Sequence, residues 1–312
     1  MCPDIMTSSG SDLLLFIGVT TGGSSIMKLF PRWSAALALD AEIEGRDLPI
    51  GGPAKLYRSV VEEIRDDDRI RGALVTTHKV DVYHHAADLF DYLDDNARLC
   101  REVSSISKLG RKLIGHAKDP ITAGRSLERI LAGRPPPPHV LCLGAGGAGT
   151  AISVYLVRHP QPPRRLIVTD REKNRIDALR TICSEAGGGE AVETHVAATP
   201  TDNDELLGSL HDRALVVNAT GMGKDTPGSP LSDDAPYPRD AVIWELNYRG
   251  DLDFLEQAAR RRDERELELH DGWTYFLHGW SEVISEVFDA RMDDARFERL
   301  RRVAEDFRPS GT

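Results

Sequence analysis

The 312-residue sequence is poor in cysteine, has no long apolar run and carries no excess of basic charge. Its four cysteines, Cys2, Cys100, Cys142 and Cys183, are scattered without the close pairing of a metal or redox motif. That usage fits a reducing cytoplasm, which is the expected location. No stretch approaches the roughly 20 apolar residues that a helix needs to cross a bilayer. Residues 1–10 lack the basic region and apolar core of a signal peptide. Lysine and arginine number 39 against 50 aspartates and glutamates, a net charge of −11. Phosphate-rich partners would be repelled, so neither nucleic acid nor an anionic membrane is expected as a partner. What is there is ordinary for a water-soluble globular chain, with 40% hydrophobic and 29% charged residues, and the length suffices for two domains.

Short apolar runs ended by turn residues alternate with helical spacing. Leu13-Leu-Leu-Phe-Ile-Gly-Val19 reads as a buried strand leading into the small-residue loop Thr20-Thr-Gly-Gly-Ser-Ser25. Helical spacing follows over 30–39 and 56–64, with further strands near 41–44 and 72–76, and residues 80–99 mix apolar and acidic positions at helical intervals. This alternation predicts an α/β domain with a largely parallel sheet. Arg134-Pro-Pro-Pro-Pro138 must end the helix expected over 123–131, because proline cannot continue it. Beyond the prolines, strands are expected at 139–144, 165–170, 214–218 and 241–246, with helices at 150–158 and 172–185. The charged run 260–268 reads as a solvated helix face or loop.

The segment after the prolines carries the strongest motif. His139-Val-Leu-Cys-Leu-Gly144 runs straight into Gly144-Ala-Gly-Gly-Ala-Gly149, a helix follows, and Asp170 lies about 20 residues further on, as a Rossmann-type dinucleotide fingerprint requires. Gly144 permits the tight turn, Gly146 lets backbone approach a pyrophosphate, and Gly149 lets helix and strand pack closely. Amides at the helix start, around Gly147 and Ala148, supply donors and partial positive charge to phosphates. Asp170 ends the second strand, where a carboxylate accepts bonds from adenosine ribose hydroxyls, and Glu172 adds a second negative charge. Arg171 and Arg175 are alternatives for binding a 2′-phosphate. NAD is therefore the expected cofactor and NADP the runner-up.

With these residues in view, the chain resembles the shikimate/quinate dehydrogenase family over nearly its whole length. Val75-Thr76-Thr-His-Lys79 is similar to the family's lysine segment, one residue shorter and without its proline. Gly115-His-Ala-Lys-Asp119 resembles Gly-x-Asn-Thr-Asp, and Asn218-Ala-Thr220-Gly-Met222-Gly resembles the loop beside the nicotinamide. Glu245-Leu-Asn-Tyr248 looks like the acidic–aromatic strand end, and Asp271-Gly272 opens the last matching segment. The resemblance implies two α/β domains: a discontinuous substrate domain of residues 1–121 with 271–312, and a dinucleotide-binding domain of 122–270. It implies Lys79 and Asp119 as the catalytic pair. It implies Ser24, Thr76, Ser105, Lys118, Tyr248 and His278 as substrate contacts, and Asn218, Thr220 and Met222 as cofactor contacts.

The departures bear on substrate. The family's Ser-x-Ser is reduced to Ser24, with Ile26 in the second place, and its Asn-Thr after Gly-Ala becomes Ser105-Ile106. Ala117-Lys118 stands for Asn-Thr, and the usual glutamine falls at Gly279, between His278 and Trp280. A site that loses hydrogen-bond partners loses discrimination for the original ligand, so a related cyclic or hydroxy-acid substrate is expected in place of shikimate. Two alternatives stay open: an imine or amino-cyclitol reductase, hinted at by Lys118 and His278, and a nicotinamide-binding regulator without turnover. His84, His85 and Asp88 have a faint metal look, but no complete ligand set is visible and no metal is expected. The expected partner is a small-molecule substrate, with a homodimer as the assembly left open.

Overall fold

The computed structural model describes residues 10–188, 191–224 and 226–309; Cys2 and the start of the chain lie outside them. The chain divides into two compact units, one of Met1–Lys118 with Trp280–Arg308 and one built on Asp119–Gly279. Residues 119–121 and 271–279, assigned to the discontinuous domain on sequence, pack with the second unit.

The first unit holds a six-stranded sheet. Its elements are β1 (Asp12–Gly18), α1 (Ile26–Leu37), β2 (Ala41–Asp47), α2 (Ala54–Asp66), β3 (Ile70–Val75), α3 (Lys79–Ala86), β4 (Tyr92–Leu93), α4 (Asp95–Cys100), β5 (Ser105–Leu109) and β6 (Lys112–His116). The strand order is β2-β1-β3-β5-β6-β4. Strands β2, β1 and β3 run parallel, whereas β5 is antiparallel to both β3 and β6. β4 runs parallel to β6, so the sheet is parallel-rich as expected, with one antiparallel insertion: residues 105–116 form a hairpin whose turn glycine, Gly110, takes φ +62°. Residues 80–99 are not continuously helical. They break into α3, a 3-10 turn at Ala87–Leu89, β4 and α4, which Asp94 caps through the Ala97 amide at 2.6 Å. One core gathers Leu13, Leu15, Ile17, Tyr57, Ile64 and Val75 between the sheet and α2 and α3.

The second unit is a six-stranded sheet with parallel pairing throughout, in the order β12-β11-β10-β7-β8-β9. Its elements are α5 (Asp119–Ile130), β7 (His139–Leu143), α6 (Gly147–Arg158), β8 (Arg165–Asp170), α7 (Lys173–Glu185), β9 (Val192–Val196), α8 (Pro200–Gly208), β10 (Leu215–Asn218), β11 (Val242–Glu245), α9 (Asp253–Arg260), α10 (Arg262–Arg265) and β12 (Glu268–His270). Numbered from β7, that is the doubly wound order 3-2-1-4-5-6, with the chain reversing direction across the sheet between β7 and β10. Both faces of the inner strands β7, β8, β10 and β11 are buried, which is why these segments read as unbroken Val, Ile and Leu runs. Val140, Cys142, Val168 and Val217 face one core, and Leu141, Ile167, Val216 and Ile243 face the other. Cys142 is a core hydrophobe here, its thiol pushed up to about 12 by burial. The long α11 (Trp273–Val287) begins in this unit and ends in the first, where α12 (Asp294–Ala304) docks through the Trp33 indole N–H on the Leu300 carbonyl at 3.0 Å. Among the described residues no helix is long and apolar enough to cross a membrane.

Candidate functional site

The glycine turn lies at the end of β7, beside the point where the strand order reverses. In open α/β sheets ligands bind there, outside the strand ends. Gly144 takes φ +105°, and a Cβ on it would meet the Ala219 carbonyl oxygen at 2.7 Å, so neither conformation nor space admits another residue. A Cβ on Gly149 would come within 1.9 Å of the Gly144 carbonyl oxygen, the close approach that lets α6 start against its strand. Gly146, the N-cap of α6, differs from both. A Cβ there would meet nothing of the protein within 4 Å, so the missing side chain leaves open space in front of the helix amides. That cradle fits a pyrophosphate.

A cavity of about 250 Å³ opens from this turn, lined by Gly144, Gly146, Asp170, Arg171, Thr220 and Met222, all six expected to touch a cofactor. Gly147, Ala148 and Gly149 form the first turn of α6, and Asn218 is fully buried and absent from the lining. Part of the wall comes from segments that sequence reasoning passed over: residues 197–200 after β9, Asn203 on α8, and Ser229-Pro230. Their strand, Val192-Glu-Thr-His-Val196, is a half-exposed edge strand whose polar residues hide its signal; Thr199, capping α8 with Asp202 in a reciprocal box, was the legible trace.

Asp170 does two jobs. Its Oδ2 accepts the Ala145 amide at 2.8 Å and its Oδ1 the Glu172 amide at 2.9 Å, binding the glycine turn to the end of β8. Glu172 and Arg175 stand beside it on the cavity wall, with an Arg175 nitrogen 3.8 Å from the Asp170 carboxylate. Acidic and basic groups therefore meet at the same end.

Across the turn, Asn218 and Glu245 are register partners on β10 and β11, and both are fully buried. Burial pushes the Glu245 carboxyl up to about 7, against hydrogen bonds from Asn247 and Asn218 and the charge of Lys224. Tyr248 packs in an aromatic group with Trp273 and Phe276, at ring distances of 5.3 and 4.7 Å. His278, further along α11, is buried, and a Cβ on the adjacent Gly279 would rest 3.7 Å from Thr122 of α5.

In the first unit, Lys79 is the first residue of α3, its amide on the Thr76 carbonyl at 3.3 Å and its carbonyl accepting the Val103 amide at 3.0 Å. Thr76 is tied to β1 through the Ile17 carbonyl by both its amide, at 3.0 Å, and its hydroxyl, at 3.2 Å. His78 is buried, its Nε2 2.9 Å from the Leu48 carbonyl and its Nδ1 3.6 Å from Asp81. Ser24 lies in the loop before α1, half-buried, and Ser105 is fully buried on β5. Lys118 is turned inward: its ammonium pairs with Glu286 of α11, beside His116, which bonds Ser107 at 2.9 Å. An amine committed to that ion pair has a structural partner within its own unit. Asp119, by contrast, opens α5 of the second unit, half-buried. His85 stacks on Tyr57 at 5.5 Å and Asp88 pairs with Arg58.

No family model matches the chain. Curated proteins do: it is 31% identical over 175 residues to the shikimate dehydrogenase (NADP(+)) of Symbiobacterium thermophilum, covering 53% of this chain and 55% of that one. Against the shikimate dehydrogenase (NADP(+)) of Streptococcus thermophilus it is 27% identical over 192 residues, 60% of this chain and 62% of the relative. The match thus spans little more than half the length of these relatives. Among solved structures, quinate dehydrogenase from Corynebacterium glutamicum in complex with NAD superposes with a TM-score of 0.74 at 21% identity, covering 94% of this chain and 98% of that one. Shikimate 5-dehydrogenase from Listeria monocytogenes in complex with shikimate and NAD gives 0.74 at 18% identity, covering 96% and 99%. The chain is thus similar in sequence to curated shikimate dehydrogenases over about half its length, and over nearly all of it shares the fold of solved quinate and shikimate dehydrogenases.

Proposed function

We propose that the protein is a nicotinamide-dependent oxidoreductase that interconverts an alcohol and a ketone on a small cyclic hydroxy acid. The observation that carries this reading is the cavity at the strand reversal, with open space before Gly146 and an acid at the end of β8. The second unit then holds the dinucleotide and the first holds the substrate. The α6 amides would hold the pyrophosphate, and Asp170, already ordered by two backbone amides, would accept the ribose hydroxyls. A bound nicotinamide would supply the acceptor for the hydride leaving the carbinol carbon, or its donor in the reverse direction. The chain's own residues must then move the proton on the adjacent oxygen, and Lys79 is the group proposed for this, with Asp119 as its partner in orienting the hydroxyl.

The finer choice of cofactor rests on charge. The named curated relatives are NADP(+) enzymes. Asp170 and Glu172 on the cavity wall would oppose a 2′-phosphate, which favours NAD, while Arg171 and Arg175 on the same wall are the residues that would favour NADP. The substrate reading rests on the replaced positions, Ile26, Ser105, Ala117 and Gly279. Each buried hydrogen bond lost there is worth about 0.5–1.5 kcal/mol, so several together cost orders of magnitude in shikimate turnover. A dehydrogenase assay with shikimate, quinate and a panel of cyclic hydroxy acids and amino-cyclitols, each with NAD and with NADP, tests both. Turnover of a ring hydroxy acid with poor use of shikimate supports the reading, and failure of every ring hydroxy acid contradicts it.

A further inference from the structure

The cavity wall after β10 is not held by the cavity itself. It is held from beneath by a chain of hydrogen bonds that starts at a buried acid. Glu245 is fully buried and does not line the cavity. Its Oε2 accepts the Asn218 side-chain amide at 2.5 Å and its Oε1 accepts the Asn247 backbone amide at 2.7 Å. With its amide committed, Asn218 turns its Oδ1 to the loop, accepting from the Thr220 backbone at 3.1 Å and from the Thr220 hydroxyl at 2.6 Å. The Thr220 oxygen in turn accepts the Met222 amide at 3.1 Å. A second tie closes the circuit, because the Asn247 side-chain amide donates to the Met222 carbonyl at 2.9 Å. The loop contains Gly221 and is followed by Gly223, both at positive φ, which gives its backbone little stiffness of its own.

Ala219, Thr220 and Met222 of the loop line the cavity. They stand across the strand reversal from Asp170. A dinucleotide placed with its adenosine ribose on Asp170 and its pyrophosphate on the glycine turn directs its other half toward β10. Building on the nicotinamide reading above, we propose that Glu245 is a positioning residue: through Asn218 and Asn247 it fixes the 218–222 loop in the shape that receives the nicotinamide half of the cofactor. An ionised acid suits this post because both its oxygens accept, and both donors beneath the loop are satisfied at once. An amide in its place presents one donor to another donor. Networks of this kind act as units, so losing one member loosens the rest.

The test separates the two halves of the cofactor. Binding of NADH and of adenosine diphosphate ribose, which lacks nicotinamide, is measured by calorimetry for the wild-type chain, Glu245→Gln and Asn247→Ala. Thermal midpoints are recorded alongside. The expected result is a loss of about tenfold or more in NADH affinity for both variants, the scale of one or two buried hydrogen bonds, with adenosine diphosphate ribose affected less than about twofold. Should Glu245→Gln fail to fold, Asn247→Ala carries the same expectation through the second tie. Equal losses for both ligands show a merely structural role and overturn the proposal, as does unchanged NADH binding in a folded variant. Wild-type chain that binds neither ligand overturns the nicotinamide reading itself, and the role of Glu245 falls with it.

Discussion

The Asp170 carboxylate accepts the Ala145 amide at 2.8 Å, so the acid that ends one strand also fixes the glycine turn that ends its neighbour. One side chain thereby sets the shape of the glycine turn and, in the proposed function, the charge at the ribose end of the dinucleotide. Replacing Asp170 with asparagine removes the charge and keeps one acceptor oxygen. The wild type should prefer NAD to NADP in kcat/KM, and Asp170→Asn should narrow that preference while weakening binding of both. A wild-type preference for NADP assigns the ribose end to Arg171 and Arg175 instead.

Two glycines of the turn, Gly146 and Gly149, should respond differently to alanine. Gly146 has φ −73° and nothing within 4 Å of a Cβ, so Gly146→Ala should fold with an unchanged thermal midpoint. Its methyl group occupies the space in front of the helix amides, and dinucleotide affinity should fall about tenfold or more. In Gly149→Ala the new carbon lies 1.9 Å from a backbone oxygen, an overpacking that costs about 1–3 kcal/mol of stability before any ligand is added. Thermal melts and calorimetric titrations of the two variants separate the effects. Equal destabilisation of both contradicts the account of the cradle.

Glu245 gives stability a pH dependence of definite sign. Its carboxyl is raised by burial from 4.5 to about 7. Between those values the folded chain holds a proton that the unfolded chain has released, so this group's contribution is full below about 4.5 and is lost as pH rises through about 7. The loss is of the order of 3 kcal/mol. Denaturation of the wild type and of Glu245→Gln across that range isolates the term, and the difference between the two should change with pH in this direction. Parallel curves contradict a raised carboxyl.

Much of the second unit was legible in the sequence because its strands are buried on both faces, and runs such as Leu166-Ile-Val-Thr169 stop at glycine or aspartate. The edge strands β9 and β12 were not, since β9 has no buried residue and β12 has only three residues in all. The β5–β6 hairpin escaped for a similar reason: Ser105, Ser107 and Lys108 look like loop residues, yet Ser105 and Ser107 are buried by strand pairing that no local pattern announces. At the cavity, the glycines and Asp170 are consecutive features of one βαβ segment and could be read in line. The bond from Asn218 to Glu245 joins residues 27 apart through the register of two parallel strands, so neither residue alone reveals it. Lys118 shows the opposite limit. Its place in the motif points to substrate, whereas its ammonium is paired with Glu286, which the sequence holds 168 positions away.

The central claim is that hydride exchange at the cofactor is matched by proton transfer at Lys79. The most direct measurement is the kcat of Lys79→Met against the wild type on the best ring hydroxy acid, followed by the near-ultraviolet absorbance of the reduced nicotinamide, with dinucleotide affinity measured in parallel. Methionine keeps much of the apolar stem and deletes the titrating amine. The account predicts a fall in kcat of roughly 10²–10⁴-fold, the range that acid–base catalysis supplies, with dinucleotide affinity nearly unchanged. Near-normal turnover by Lys79→Met would contradict it.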